Sequence, residues 1–178
     1  LTPIVDAFKI ASGDNDFVPL LRSVCNTDKP LVVSTGLTDL RGSQQIVDLI
    51  HGEWELRNHP GELALLHCVS TYPTPGEYAN IRAITTLKSI PRCEIGYSDH
   101  TIGMTACLAA VALGARVIEK HFTLDKEYSS FRDHQFSADP SEMRALVVAI
   151  RELEEILGDG NKRVVPCEKE SELATRRS

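Results

Sequence analysis

Two histidines stand at matching places in the sequence, each at the end of a short apolar run. His100 closes the run in GYSDHTIG, and His121 closes the run in VIEKHFTL, with a stretch of small residues between them. Two neutral imidazoles on neighbouring strands can bind one divalent metal ion through their ring nitrogens. A single histidine at a strand end more commonly makes structural hydrogen bonds, so both interpretations stay open for each residue.

Hydroxyl groups, glycines and a lysine follow the other apolar runs. A bound phosphate needs short donors, close approach of the backbone and a positive charge, and these residue types supply them. Serine and threonine at such positions also commonly cap the next helix. The candidates are Lys9, Ser12, Gly13, Asp14, Ser34, Thr35, Gly36, His67, Ser70, Thr71, Tyr72, Ser98 and Glu119.

Other nucleophiles are open alternatives. Lys9 is the candidate for a Schiff-base lysine, whereas Lys120 points away from the face of its neighbours and is predicted to be structural. A cysteine nucleophile is a further possibility. The five cysteines are odd in number and lack a C-x-x-C spacing, so they are typical of reduced thiols that pack in a core.

The composition restricts the class of protein. The 178 residues are 42% hydrophobic and 25% charged, as expected of one soluble domain. The net charge of −6 argues against general affinity for nucleic acid. No apolar stretch is long enough to cross a bilayer, and LTPIVDAFKI carries no basic region or cleavage site, so we expect a cytoplasmic protein without membrane association.

The elements that position these residues alternate between strand and helix. Five near-continuous apolar segments, DAFKIAS, PLVVSTG, LALLHCVS, CEIGYSD and RVIEKHF, are typical of strands buried on both faces of a parallel sheet. Helix-like stretches separate them, which predicts an α/β fold. Five units do not close an eight-stranded barrel, so the pattern fits either an open sheet or most of a (β/α)8 barrel without its early units.

Two helices have clear ends in the sequence. Apolar residues recur at helical spacing from Met104 to Ala112, and Gly114 can end that helix. A later helix is predicted to begin at DPSE, with Asp139 as N-cap and Glu142 closing a capping box, and to stop at Gly158. Its predicted apolar face comprises Met143, Leu146, Val147, Ile150, Leu153 and Leu157. The polar tail 161–178 is predicted to be a linker with a short helix at 168–175.

Several longer segments are specific enough to compare with known families: FKIASGD, LVVSTG, LLHCVSTYPTP, IGYSDHTIG, AVALGARVIEKHFTLDK and FSADPSEM. Together they resemble the sialic acid synthase family, which includes N-acetylneuraminate, legionaminate and pseudaminate synthases. The similarity runs in order from about Phe8 to Glu168, and HCVSTYPTP is among its most specific parts.

The resemblance implies a TIM barrel followed by a small antifreeze-like domain. On that pattern, residues 1–160 form the later part of the barrel, about strands 4–8, and residues 161–178 form a linker to the C-terminal domain. On the same pattern, we expect the earlier strands and the antifreeze-like domain to be absent from this sequence. The family acts as a homodimer, so we expect a homodimer at full length and an incomplete active site in this chain alone.

The resemblance also implies an activity: phosphoenolpyruvate condenses with an N-acetylmannosamine-type aldose to give a nine-carbon keto acid and phosphate. Lys9, Ser12, Ser34 and Ser98 match the residues that hold the phosphate of phosphoenolpyruvate. The alternatives are an inactive fragment or phosphate-binding remnant with a role in assembly only, and a Schiff-base aldolase.

The remaining site residues come from the same match. His100 and His121 match the two protein ligands of a divalent metal, Mn²⁺ or Mg²⁺. Asp14 matches an acidic position suggested to handle the attacking water. Tyr72 and Asp133 match sugar contacts, and Ser70 stands where some bacterial members carry Asn, so the identity of the sugar stays open.

Overall fold

A parallel sheet forms the centre of the computed structural model, which describes residues 4–168. Its strands are β1 (Phe8–Ile10), β2 (Leu31–Ser34), β3 (Leu63–Cys68), β4 (Glu94–Asp99) and β5 (Val117–Lys120). All neighbouring strands are parallel and follow one another across the sheet in chain order. The five apolar segments are therefore strands, and the prediction of an α/β fold with a parallel sheet is confirmed.

Helices connect the strands. They are α1 (Val18–Cys25), α2 (Leu40–Glu55), α3 (Ala83–Leu87), α4 (Thr105–Ala112), α5 (Asp133–Phe136) and α6 (Pro140–Leu157), with single 3₁₀ turns at Ser12–Asp14 and Gly76–Tyr78. The hydrophobic core lies between the helices and one face of the sheet. Val33, Leu65 and Tyr97 from the strands pack there with Ile50 and Trp54 from α2. We call this the outer face and the opposite one the inner face.

An ion pair on the inner face shows that the sheet is curved. Lys9 on β1 lies 3.5 Å from Glu119 on β5 (Nζ to Oε2), although the strands are the first and the fifth of the sheet. In a flat sheet these strands would be about 19 Å apart, since neighbours are separated by about 4.8 Å. The sheet must therefore bend towards its inner face, as part of a barrel wall does.

The register of the strands agrees with a barrel. Lys9, Val32, Ala64 and Glu94 are in register across β1 to β4, and Gly96 of β4 is in register with Val117 of β5. The position of β5 in register with Lys9 is therefore two residues before Val117. Glu119 lies four residues beyond that position, and β5 is four strands away from β1. A stagger of one residue per strand is that of an eight-stranded barrel with a shear of 8. The described part of the chain is accordingly a parallel half-barrel, and its numbering as strands 4–8 stays a prediction.

The predicted start of α6 and the predicted ends of α4 and α6 are present in the structure. Asp139 accepts hydrogen bonds from the backbone N–H groups of Ser141 and Glu142, and the Glu142 carboxylate accepts one from the N–H of Asp139. Gly114 and Gly158 follow α4 and α6 with positive φ angles of 91° and 58°, a conformation that favours glycine.

One expectation about side chains was wrong. Val147 and Leu157 are 48% and 43% exposed, so the apolar face of α6 is narrower than its sequence indicates. His51 lies within α2, and its Nε2 is 2.8 Å from the carbonyl oxygen of Arg92. The many polar residues of this helix lie on its solvent side, because Ile50 and Trp54, four residues apart, occupy the buried side.

The helix predicted at 168–175 falls almost entirely outside the described residues. Among residues 4–168, none of the helices combines the length and the hydropathy needed to cross a bilayer.

Gly96 on β4 allows β5 to approach closely. A Cβ at this position would lie 2.5 Å from the carbonyl oxygen of Val117 and 2.5 Å from Cδ2 of Leu66. We expect Gly96→Ala to lower the free energy of unfolding by about 1–3 kcal/mol, as overpacking does. Urea denaturation of the chain measures the change.

Gly52→Ala is the matched control, because a Cβ there meets nothing within 4 Å and the residue lies inside α2. Removing a glycine from a helix interior should raise stability by about 0.5–1 kcal/mol. Equal effects of the two substitutions would contradict the close approach of the strands at Gly96.

Candidate active site

The two histidines predicted as metal ligands lie side by side. The ring centroids of His100 and His121 are 5.2 Å apart, and the ring planes are inclined by 75°. His100 directly follows β4 and His121 directly follows β5, which are neighbouring strands. Since parallel strands end at the same edge of a sheet, residues at equivalent ends must meet there.

An acceptor oxygen lies on the Nδ1 side of each ring. Nδ1 of His100 lies 2.8 Å from the carbonyl oxygen of Val69, which accepts only an N–H. This contact assigns the proton of the neutral ring to Nδ1 and leaves Nε2 with a lone pair. Nδ1 of His121 lies 3.8 Å from a carboxylate oxygen of Asp133, so its Nε2 is likewise turned away from the acidic partner.

The residues fit a divalent metal ion. Histidine nitrogens lie about 2.1 Å from such an ion, which puts the ion roughly 3 Å from a ring centroid. A separation of 5.2 Å between the two centroids is therefore within the span that one ion can bridge. Residues 4–168 contain no group of three or more His, Cys, Asp or Glu that could hold a metal. Two imidazoles alone would leave positions open for substrate oxygens and water.

The two histidines differ in basicity. Burial and the neighbouring charge of His100 lower the pKa of His121, which favours the neutral form that binds metal. For His100, burial lowers the pKa, but contacts with Cys68 and with the carbonyl of Val69 outweigh it and raise the pKa above its usual value. A bound cation would oppose protonation of both rings.

Aromatic rings form one wall of the site. The ring centroid of Tyr72 lies 4.2 Å from that of His100 and 5.8 Å from that of His121. Phe136 packs on the other side of His121, with centroids 4.9 Å apart. The guanidinium carbon of Arg132 lies 5.5 Å from the centre of the Tyr72 ring. This wall brings together the predicted sugar contacts Tyr72 and Asp133 beside the histidines.

A second cluster contains hydroxyl groups without partners. Ser34 and Ser70 each have a buried Oγ that makes no hydrogen bond to any residue between 4 and 168. A Cβ on Gly36 would collide with Oγ of Ser70 and would lie 2.6 Å from Oγ of Ser12. The hydroxyls of Ser12 and Ser70 therefore occupy space that a side chain at position 36 would fill, and Ser34 lies two residues before Gly36 on the same face. We call Ser12, Ser34, Gly36 and Ser70 the hydroxyl cradle.

Cys68 connects the cradle to the histidines. Its Sγ accepts a hydrogen bond from Oγ of Ser12 at 3.3 Å and lies 3.9 Å from Nδ1 of His100. Burial raises the pKa of this thiol, but the hydrogen bonds to His100 and Ser12 outweigh burial and lower it. The sequence did not single out Cys68 from the other cysteines, because its apolar setting resembles ordinary packing.

Asn15 is a further residue that the sequence did not indicate. Its side chain is 3% exposed, and Nδ2 donates to the carbonyl oxygens of Ser34 and Gly36 at 3.0 and 3.2 Å. These bonds hold the loop after β2 in the shape that directs the cradle inwards. An asparagine after SGD is typical of any turn, and its distant partners become visible only in the fold.

The other predicted residues lie at different distances from the rim that carries the histidines. Lys9 donates to the carbonyl oxygen of Ile10 at 3.0 Å and pairs with Glu119. Ser98 is buried and in register with Cys68, so it faces the inner side below His100. Asp14 is exposed, and its carboxylate makes no hydrogen bond or ion pair with residues 4–168. The structure therefore groups most of the predicted residues on one rim but leaves Asp14 at its edge.

Comparisons with known proteins agree with this geometry. The NeuB family matches residues 2–162 of the chain. A protein of Methanocaldococcus jannaschii is 48% identical over 174 residues, covering 98% of this chain and 50% of that protein. The N,N'-diacetyllegionaminic acid synthase of Campylobacter jejuni is 38% identical over 171 residues, covering 96% of this chain and 50% of that enzyme. The chain thus spans about half the length of these relatives.

A solved structure shares the fold. The N-acetylneuraminic acid synthetase of Leptospira borgpetersenii superposes with a TM-score of 0.86 at 34% identity, covering 96% of this chain and 57% of that chain. The sequence motifs, the half-barrel and the match over residues 2–162 lead to one conclusion: the chain belongs to the NeuB family.

Proposed function

We propose that the protein carrying this chain is a phosphoenolpyruvate-dependent nonulosonic acid synthase. The reaction joins carbon 3 of phosphoenolpyruvate to the aldehyde carbon of an N-acetylmannosamine-type aldose. Water adds to carbon 2, the bond between carbon 2 and the phosphate oxygen breaks, and inorganic phosphate leaves. The product is a nine-carbon α-keto acid.

One observation carries this proposal: the histidine pair and the hydroxyl cradle lie on the same rim, and Cys68 touches both. A reaction between an anionic phosphate ester and a second substrate with a carbonyl carbon needs two such neighbouring sites. Holding two reactants together in a fixed orientation supplies a large part of the rate enhancement in such condensations.

The cradle is assigned to the phosphate group of phosphoenolpyruvate. Buried hydroxyls without partners carry an energetic cost that a bound acceptor removes. Ser34 and Ser70 have such hydroxyls, and the absence of a side chain at Gly36 leaves room for the hydroxyls of Ser12 and Ser70. Lys9 and Ser98 lie on the inner face of the same sheet and are assigned to the same group, with Lys9 supplying the positive charge.

The histidines are assigned to a divalent cation, Mn²⁺ or Mg²⁺, held by Nε2 of His100 and His121. When bound, such an ion acts as a Lewis acid towards a carbonyl oxygen. The carbonyl of Val69 accepts a hydrogen bond that orients the ring of His100, and the carboxylate of Asp133 lies 3.8 Å from Nδ1 of His121.

The aromatic wall is assigned to the sugar. Tyr72 offers a flat apolar face beside His100, and the Asp133 carboxylate can accept hydrogen bonds from sugar hydroxyls. Asp14 is exposed on the turn that also carries Ser12, which leaves its carboxylate free to take a proton from the attacking water.

A Schiff-base aldolase is the less favourable interpretation of the same residues. That chemistry needs a neutral amine, usually in an apolar pocket or beside another cation. Lys9 instead lies 3.5 Å from the carboxylate of Glu119 and donates to the carbonyl oxygen of Ile10, so its surroundings are polar and include an acidic group.

Turnover of the complete gene product is the first test. With Mn²⁺, we expect phosphate release from phosphoenolpyruvate on addition of N-acetylmannosamine or of 2,4-diacetamido-2,4,6-trideoxymannose, and loss of release on chelation. The sugar that supports release identifies the substrate class. Absence of release with every mannosamine-type aldehyde, despite bound metal, would favour a phosphate-binding remnant without catalysis.

Removing one imidazole should abolish metal-dependent turnover. In the complete gene product, His100→Ala should lower phosphate release at least about 100-fold, because the site loses one of its two ligands and the affinity for Mn²⁺ falls. His51→Ala is the control, since His51 lies on α2 and contacts the carbonyl of Arg92. Substantial activity of His100→Ala with metal bound would refute the ligand assignment.

The cradle can be tested with substitutions that add or remove a single group. Ser34→Ala removes an unpartnered hydroxyl, so the melting temperature should stay equal or rise while the KM for phosphoenolpyruvate increases about tenfold or more. Gly36→Ala should also raise this KM, because the added methyl group would displace the hydroxyls of Ser12 and Ser70, but it should lower the melting temperature because its Cβ would overlap with them. Steady-state kinetics at varied concentrations of each substrate measure both effects.

Gly13→Ala is the matched control for Gly36→Ala, because a Cβ at Gly13 meets nothing within 4 Å. The KM for the sugar should change little in Ser34→Ala. A larger effect on the sugar than on phosphoenolpyruvate would move Ser34 out of the phosphate site.

A further inference from the structure

An ion pair lies directly behind the two histidines, on the outer face of the sheet. Nζ of Lys120 is 2.7 Å from Oδ2 of Asp99, and the two side chains are 5% and 0% exposed. The residues are in register on β5 and β4, and each immediately precedes one of the histidines. Because successive side chains of a strand point to opposite faces, anchoring one on the outer face fixes the next on the inner face.

The same pair holds the backbone on the far side of His100. The N–H of Thr101 donates to Oδ1 of Asp99 at 2.8 Å, and Lys120 donates a second bond to the carbonyl oxygen of Thr101 at 2.9 Å. The residues before and after His100 are therefore both tied to the ion pair. The carbonyl oxygen of His100 also accepts a bond from the N–H of Thr74 at 2.9 Å.

The carboxylate of Asp99 has a full set of partners. It also accepts bonds from the hydroxyl of Tyr97 at 3.0 Å and from the thiol of Cys107 at 3.2 Å. Buried ion pairs commonly contribute no more stability than an apolar pair of the same volume, because both charges lose their hydration. Stability alone therefore does not account for this arrangement, whereas a fixed geometry at the ends of β4 and β5 does.

We propose that Asp99 and Lys120 are positioning residues, whose ion pair fixes the relative placement of the His100 and His121 rings and thereby the affinity of the site for a divalent cation. This inference rests on the proposed function, because metal binding is what requires the placement. The pair touches neither substrate nor metal and acts only through the two histidines.

The test removes both charges together. In the 178-residue chain, Asp99→Asn/Lys120→Met keeps the approximate volume and leaves no charge unpaired. We expect the imidazole ¹⁵N shifts of His100 to lose the pattern of a single tautomer protonated at Nδ1. We also expect the dissociation constant for Mn²⁺ to rise about 10- to 100-fold, as for other residues that orient metal ligands.

Two control variants separate positioning from general effects of charge. Lys120→Arg keeps the ion pair and should retain the wild-type ¹⁵N shifts. Arg22→Gln/Glu53→Gln removes an exposed ion pair of 2.8 Å between α1 and α2 and should change neither readout. If the Asp99→Asn/Lys120→Met chain does not fold, Asp99→Glu replaces it, because it keeps both charges but displaces the carboxylate by one methylene group.

A folded Asp99→Asn/Lys120→Met chain with unchanged ¹⁵N shifts and unchanged Mn²⁺ affinity would overturn the proposal, as would unchanged shifts in Asp99→Glu. The ¹⁵N readout needs no metal. If the wild-type chain binds no Mn²⁺, the metal part of the proposed function fails, while the shifts still show whether the ion pair positions the histidines.

Discussion

The alternation of side chains along five short strands is the constraint on which both the core and the site depend. Outer positions such as Val33, Leu65 and Tyr97 pack against the helices, and the positions between them face the inside of the curved sheet. Each strand thus contributes to stability and to chemistry with alternate residues. The clearest case is the end of β4, where Asp99 points outwards to Lys120 and His100 points inwards to His121.

The charge of the site is local and nearly balanced. The chain has a net charge of −6, yet the proposed ligand is an anion. Lys9 supplies a positive charge, and Glu119 compensates part of it at 3.5 Å. Neutral hydroxyls, backbone N–H groups and a bound cation would therefore hold most of the negative charge of the ligand, a combination that works in a protected site without making the whole surface basic.

Local patterns in the sequence predicted much of the fold. The five apolar segments, the capping box at Asp139 and the histidines at the ends of β4 and β5 all depend on residues close together in the chain. The contacts of Asn15, Cys68 and Lys120 could not be predicted, because their partners lie 19 to 56 residues away and meet only when the sheet forms. The sequence identified Lys120 as structural but not its partner.

The stagger of one residue per strand arranges the inner residues in layers along the barrel axis. Counting upwards, the layers are Lys9, Leu66 and Glu119, then Ser34 and Ser98, then Cys68 and His121, then Gly36 and His100. Odd-numbered and even-numbered strands supply alternate layers. Inserting one residue within a strand would therefore move every later side chain of that strand to another layer and to the opposite face of the sheet. Under the proposed function, adaptation to a longer or shorter sugar would therefore occur above these layers, in the loops that carry Tyr72 and Arg132, while the strands would keep the reaction at a constant depth.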